Sequence, residues 1–207
     1  SGGDDHGTRR SECDGRTRPD ARRRCRGCRK YRRLHESHQN LLLEMKMAEQ
    51  VQRNMLPHPL PTVPGVRFAF GFRPTQHLAG DFLSVFRLDR DCLGFYVGDV
   101  MGHGPAAALL SVFAMQTLRP KRIEGSSYEI LPPARVLAQL NQTLIEADMP
   151  GQPFITMVYG VLDTSNRTWT YCCGGHPYPM ILRDPGPPRY LQATAPLLGV
   201  TELPFHQ

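Results

Sequence analysis

The hydrophobic period of this chain changes at Leu56-Pro57-His58-Pro59. Before that point Leu41, Met45, Ala48, Val51 and Met55 recur at intervals of three and four, which makes one apolar stripe on an α-helix. After it Val66, Phe68, Phe70 and Phe72 alternate along the chain as in a half-buried strand. Prolines at 57 and 59 forbid a helix through the junction. The chain is therefore read as an amphipathic helix over residues 35–56 followed by a separate body over residues 57–207. The helical stripe needs a cover, which can be the body or a second copy in a homodimer.

The body reads as strands, then helices, then strands. After Val66–Phe72, strands are expected at Asp81–Leu88 and Cys92–Val100, with a turn at Asp89-Arg90-Asp91. A helix is expected from the Gly102–Gly104 turn to about Leu118. A second runs from about Pro133 to Ala147, with Val136, Leu137, Leu140 and Leu144 on one face. Strands follow near Phe154–Asp163, Thr168–Cys173, Met180–Arg183 and Arg189–Leu191. This order predicts an α+β fold.

Charge separates a third region. Residues 1–34 hold 12 Lys/Arg against 5 Asp/Glu, a net of +7, whereas residues 35–207 hold 13 against 14, a net of −1. The head has few large apolar side chains and is expected to be disordered. Its arginines allow non-specific, salt-sensitive contact with nucleic acid, but the near-neutral body argues against a nucleic-acid-binding domain. Cys25-Arg26-Gly27-Cys28 with His35 and His38 has some zinc-ligand character. The short link and the surrounding arginines weigh against Zn²⁺ there. No apolar run is long enough for a membrane span and no export signal is visible, so reduced cysteines and a cytoplasmic location are expected. The adjacent Cys172 and Cys173 should point to opposite sheet faces rather than pair.

Two segments carry recognisable chemistry: Leu78-Ala79-Gly80-Asp81-Phe82 and Val97-Gly98-Asp99-Val100-Met101-Gly102-His103-Gly104. Each sets an Asp after a Gly near an apolar strand. Carboxylates brought together there repel unless a cation neutralises them, and oxygen donors suit Mg²⁺ or Mn²⁺. The other reading is two ordinary turn aspartates. Both stand on pattern alone.

These motifs resemble those of the SpoIIE-type branch of the metal-dependent (PPM) protein phosphatases, relatives of protein phosphatase 2C in bacterial signalling. The resemblance begins at Ala48-Glu49-Gln50-Val51-Gln52-Arg53-Asn54-Met55-Leu56-Pro57 and includes Leu78–Phe82 and Gly98–Gly104. It continues through Asn141, Phe154-Ile155-Thr156-Met157, Gly174-Gly175-His176-Pro177-Tyr178-Pro179 and Pro196-Leu197-Leu198-Gly199-Val200.

The resemblance implies a layered sandwich of two mainly antiparallel sheets flanked by helices. It implies hydrolysis of phosphoserine or phosphothreonine on a regulatory protein, such as an anti-sigma-factor antagonist, by water activated between two Mn²⁺ or Mg²⁺ ions. Asp99 would bridge the metals, the Val100 carbonyl would bind one, and Asp81 would serve a metal directly or through water. His103 would act as a general acid or shape the Gly-rich turn. An upstream sensor or receiver domain is a further implied partner. His176 is read as loop-shaping, and Arg73 as a solvated strand end. His58 and His77 have no assigned role.

Departures from the family pattern are also legible. Ala79 replaces a Gly, and Ser84 stands where a second acidic residue is usual. The family continues into a Thr-Asp-Gly motif with further metal ligands, and no Asp or Glu follows Glu202. The expectation is a phosphatase domain lacking its C-terminal part. The alternative is a non-catalytic pseudo-phosphatase that acts as a regulatory or dimerising module.

Overall fold

The computed structural model describes residues 26–74, 78–201 and 204–206. The described residues fall into two units, divided between Glu44 and Met45. Helix α1 is Arg26–Asn54. It starts ahead of the expected boundary, so residues 26–34 of the basic head are helical. Arg and Lys are good helix formers, which permits this. In the first unit its described side chains are exposed except the half-buried Leu42, and the Tyr31 and His35 rings stack at 6.3 Å.

The second unit is α+β. Its elements are β1 (Phe82–Arg87), β2 (Cys92–Val100), α2 (Pro105–Thr117), β3 (Lys121–Glu124), β4 (Ser127–Ile130), α3 (Pro133–Glu146), β5 (Ile155–Asp163), β6 (Thr168–Gly174), β7 (Met180–Ile181) and β8 (Arg189–Tyr190). Four strands form an antiparallel sheet in the order β1-β2-β5-β6, while β3-β4 and β7-β8 are separate two-stranded ribbons. Both helices open on proline, whose fixed φ and missing N–H suit the first turn.

One sheet face supplies Phe82, Tyr96, Val100, Ile155, Met157, Tyr159 and Cys172 to the core. Ala107, Leu110 and Ala114 of α2 and Val136, Leu137, Leu140 and Leu144 of α3 pack with them. Burying each Leu contributes roughly 2 kcal/mol. Glycines let aromatic rings lie flat on this sheet. Phe82 covers Gly98, where a Cβ would come within 2.5 Å of the ring. On the opposite face Trp169 covers Gly160 and stacks between Phe95 and Tyr171 at 5.3 and 5.0 Å.

Two expectations fail. Val66–Phe72 is not a strand: it has only the Val63–Val66 bridge, and Phe68 instead packs against Phe95 at 6.2 Å. The β3-β4 ribbon, conversely, was not expected from the sequence. The three free cysteines with described side chains are Cys92, Cys172 and Cys173. Cys13 and Cys25 lie outside the described residues, as does the Cys28 side chain, and with them the zinc alternative. Among the described residues no helix is long and apolar enough to cross a membrane.

Tyr159 is fully buried and its hydroxyl has no hydrogen-bond partner among the described residues. An unpaired buried hydroxyl costs about 1–3 kcal/mol. Tyr159→Phe is therefore expected to leave stability unchanged or raise it by about 1 kcal/mol in urea unfolding. A loss of similar size would show that the hydroxyl is satisfied.

Candidate active site

The site forms where β2 and β5 end together. Their register sets Asp99 opposite Thr156 and Val100 opposite Ile155. Alternation along β2 sends Val100 into the core and Asp99 to the other face. Asp81 immediately precedes β1, whose Phe82 pairs with Gly98, so the chain delivers Asp81 beside Asp99. The Val100 N–H donates to the Gly80 carbonyl at 3.3 Å. A Cβ on Gly80 would lie 2.7 Å from the Val100 carbonyl oxygen and 3.3 Å from Asp99 Oδ1. Glycine here is a matter of space: no side chain fits between the two acidic segments.

The carboxylates feel each other. Partial withdrawal from water pushes the Asp99 carboxyl above its ordinary range, and the charge of Asp81 and a hydrogen bond with it push it further. Two carboxylates and a strand-end carbonyl offer hard oxygen donors. This suits a Mg²⁺-like ion, which takes one or two carboxylates and keeps several waters. Among the described residues no group of three or more His, Cys, Asp or Glu side chains is placed to hold a metal. The oxygen atoms gathered here are those of the two carboxylates and the Val100 carbonyl, beside Gly80.

The other expected residues fall in different places. His103 is exposed at the tip of the turn into α2, between Gly102 and Gly104 at φ +93° and +82°. Positive φ at both glycines is what makes this tight turn. Ser84 faces the core side and hydrogen-bonds Tyr96, away from the carboxylates. Arg73 is exposed, and His77 lies outside the described residues. His176 joins the site: its Nδ1 lies 2.9 Å from Thr156 Oγ1. Burial pulls its imidazole below the ordinary histidine range, opposed by the charge of Asp81 and by a hydrogen bond to the Thr156 backbone.

Two supporting residues stand in motifs quoted from the sequence but had no role assigned there. Gln52, buried on α1, clasps the backbone of Ala79 from both sides: Nε2 donates to the Ala79 carbonyl at 2.6 Å, and the Ala79 N–H donates to Oε1 at 3.1 Å. Its Nε2 also reaches Ser111 Oγ on α2 at 3.4 Å. The clasp fixes the loop that delivers Asp81. Asn141, buried on α3, donates to the Thr201 carbonyl at 2.9 Å and accepts from the Gly199 N–H at 2.7 Å. The signal for Gln52 was available, since it falls seven residues after Met45 on the apolar stripe. Gln52→Ala strands two backbone groups of Ala79 and should cost about 2 kcal/mol in urea unfolding, with a parallel loss of activity. Unchanged stability would mean that water replaces the clasp.

Residues 89–207 match the family described as Stage II sporulation protein E (SpoIIE), which is more than half of the chain. Phosphoserine phosphatase RsbP of Bacillus subtilis is 26% identical over 166 residues, covering 79% of this chain and 40% of RsbP. Phosphoserine phosphatase RsbU of the same organism is 27% identical over 149 residues, covering 70% of this chain and 42% of RsbU. The chain spans less than half the length of either relative. The solved SiaA-PP2C domain of Pseudomonas aeruginosa superposes with a TM-score of 0.63 at 18% identity, covering 82% of this chain and 69% of that one, and so shares the fold. Motif order and family match agree: the chain belongs to the SpoIIE family, and its fold is that of PP2C domains.

Proposed function

We propose that this chain carries a metal-dependent protein serine/threonine phosphatase site. In this reading Asp81, Asp99 and the Val100 carbonyl hold Mn²⁺ or Mg²⁺, and the substrate is a phosphoserine or phosphothreonine on a regulatory protein such as an anti-sigma-factor antagonist. The observation that carries the reading is the convergence of Asp81 and Asp99, whose charges oppose each other unless a cation lies between them. When bound, such cations lower the pKa of a water and offset charge on the phosphoryl oxygens. The chain's own part is to hold the acceptors in place. Gly80 packs against Val100, Gln52 clasps Ala79, and the β2-β5 ladder fixes Asp99. His103, exposed on its glycine turn, is open to a substrate and is assigned the general-acid role in this proposal.

The test is release of phosphate from a phosphoseryl protein, stopped by a chelator and restored by Mn²⁺ or Mg²⁺. Turnover that survives thorough chelation would sink the proposal. A second reading, a regulatory or dimerising module built on α1, is favoured by its exposed Leu34, Leu41, Met47 and Val51. It is distinguished by partner binding without turnover.

A further inference from the structure

His176 and Thr156 border the carboxylate pair, yet neither belongs to the donor set assigned above. Their placement is built, not incidental. Thr156 sits opposite Asp99 in the β2-β5 ladder, so the two side chains share one sheet face with Cβ atoms about 5 Å apart. Thr156 Oγ1 engages Nδ1 of His176 at 2.9 Å, which fixes the plane of the imidazole. The loop carrying His176 is anchored from several directions. The Cys173 N–H donates to Thr194 Oγ1 at 3.0 Å, the Gly175 N–H to the Ala195 carbonyl at 3.3 Å, and the Leu198 N–H to the Ile155 carbonyl at 2.9 Å. Gly174 and Gly175 are overlaid by Leu198 and Leu197, which leaves no room for side chains at either position. A loop held this tightly sets the His176 side chain in one direction.

The side-chain hydrogen bond of the His176 ring is made at Nδ1, and Asp81 acts on the ring electrostatically. The ring therefore belongs to the neighbourhood of Asp81 and Asp99, where the phosphoryl group of a substrate must approach. In the neutral tautomer in which Nδ1 accepts from the Thr156 hydroxyl, the ring proton is on Nε2, and a protonated ring also carries one there.

We propose that His176, oriented by Thr156, is a substrate-binding residue whose Nε2–H donates a hydrogen bond to a phosphoryl oxygen. This rests on the phosphatase reading, and it adds a phosphate contact made by protein rather than by metal. It replaces the expectation that His176 only shapes its loop.

The two ring nitrogens can be separated by substitution. Asn at position 176 places an amide near Nδ1 and keeps the partner of Thr156, but it has nothing at Nε2. Gln at the same position reaches the Nε2 position with an N–H donor. The readouts are binding of inorganic phosphate to the metal-loaded protein, followed by phosphorus NMR, together with KM and kcat for a phosphoseryl protein. Mn²⁺ affinity and thermal unfolding are measured on each variant as checks on the site and the fold.

A hydrogen bond to a charged group is worth about 1.5–3 kcal/mol. His176→Asn should thus weaken phosphate binding at least about tenfold with Mn²⁺ affinity unchanged, and His176→Gln should recover most of it. If Asn binds phosphate like wild type, or if Gln is no better than Asn, the proposal is overturned and the phosphatase reading stands. If wild type binds phosphate through His176 but releases none from a phosphoprotein, the phosphatase reading fails and the proposal survives.

Discussion

Asp99→Asn is expected to abolish metal-dependent hydrolysis and, in the same protein, to remove a pH-dependent loss of stability. The first effect follows from charge. Asn keeps one oxygen at the end of β2 but no longer offers an anion to a cation shared with Asp81. Metal-borne stabilisation of the reacting phosphoryl group is worth several kcal/mol, so the rate should fall by at least about a hundredfold. The second effect follows from proton binding in the metal-free protein. Partial burial, then the neighbouring Asp81, raise the Asp99 carboxyl above its ordinary value of 3.8. The native state therefore holds this proton at pH values where the unfolded chain has released it. The resulting stability is present below about pH 4 and disappears as pH rises through the raised value. Asn has no proton to lose. Urea unfolding of metal-free protein from pH 4 to pH 7 should show this downward component in wild type and not in Asp99→Asn. Mn²⁺ should offset the loss in wild type alone. Equal turnover by the two proteins would refute the metal site, and equal pH profiles would refute the carboxylate pairing.

Gly80→Ala is expected to be nearly as damaging, although it adds one methyl group and alters no charge. That methyl would lie 2.7 Å from the Val100 carbonyl oxygen and 3.3 Å from Asp99 Oδ1. The backbone cannot simply yield. The Val100 N–H is tied to the Gly80 carbonyl, the Met101 N–H to the Phe154 carbonyl, and Ala79 to Gln52. Overpacking of this kind costs about 1–3 kcal/mol. The forced shift also moves Asp81 relative to Asp99, and a displacement of about 1 Å at a reacting centre can cost about a hundredfold in rate. Gly160→Ala is the matched comparison. It drives a methyl into Trp169, on the same sheet but away from the carboxylates. Both variants should lose stability, and Gly80→Ala alone should lose activity beyond its unfolded fraction. Similar activity in the two would mean that the Gly80 contact is merely structural.

The strands and helices of the central layer were legible because each buries one side, and burial writes a period into the sequence. Burial alternates along Tyr96–Val100, and Val136, Leu137, Leu140 and Leu144 mark one helical face. The β3-β4 ribbon was illegible for the same reason: Ile123 is 76% exposed and Tyr128 51%, so no buried face imposes a pattern. Val66–Phe72 shows the converse failure. Its alternation is real, but a strand also needs a neighbour to complete its ladder, and that is not encoded locally. The site divides similarly. Asp81 and Asp99 announce themselves through their Gly-Asp context. The clasp of Gln52 on Ala79 spans 27 positions and the Thr156–His176 contact spans 20, so both exist only once the chain has folded.

The sandwiching of Trp169 between Phe95 and Tyr171 has an optical consequence. It is the only tryptophan in the chain, and its indole N–H is buried over Gly160 with no hydrogen-bond partner among the described residues. Ultraviolet emission excited at the red edge of the protein's absorption therefore comes from one known position in the four-stranded sheet. Phe95 lies on the same strand and face as Asp99, four residues away. The colour of that emission reports the state of the sheet that carries the carboxylates, without any label.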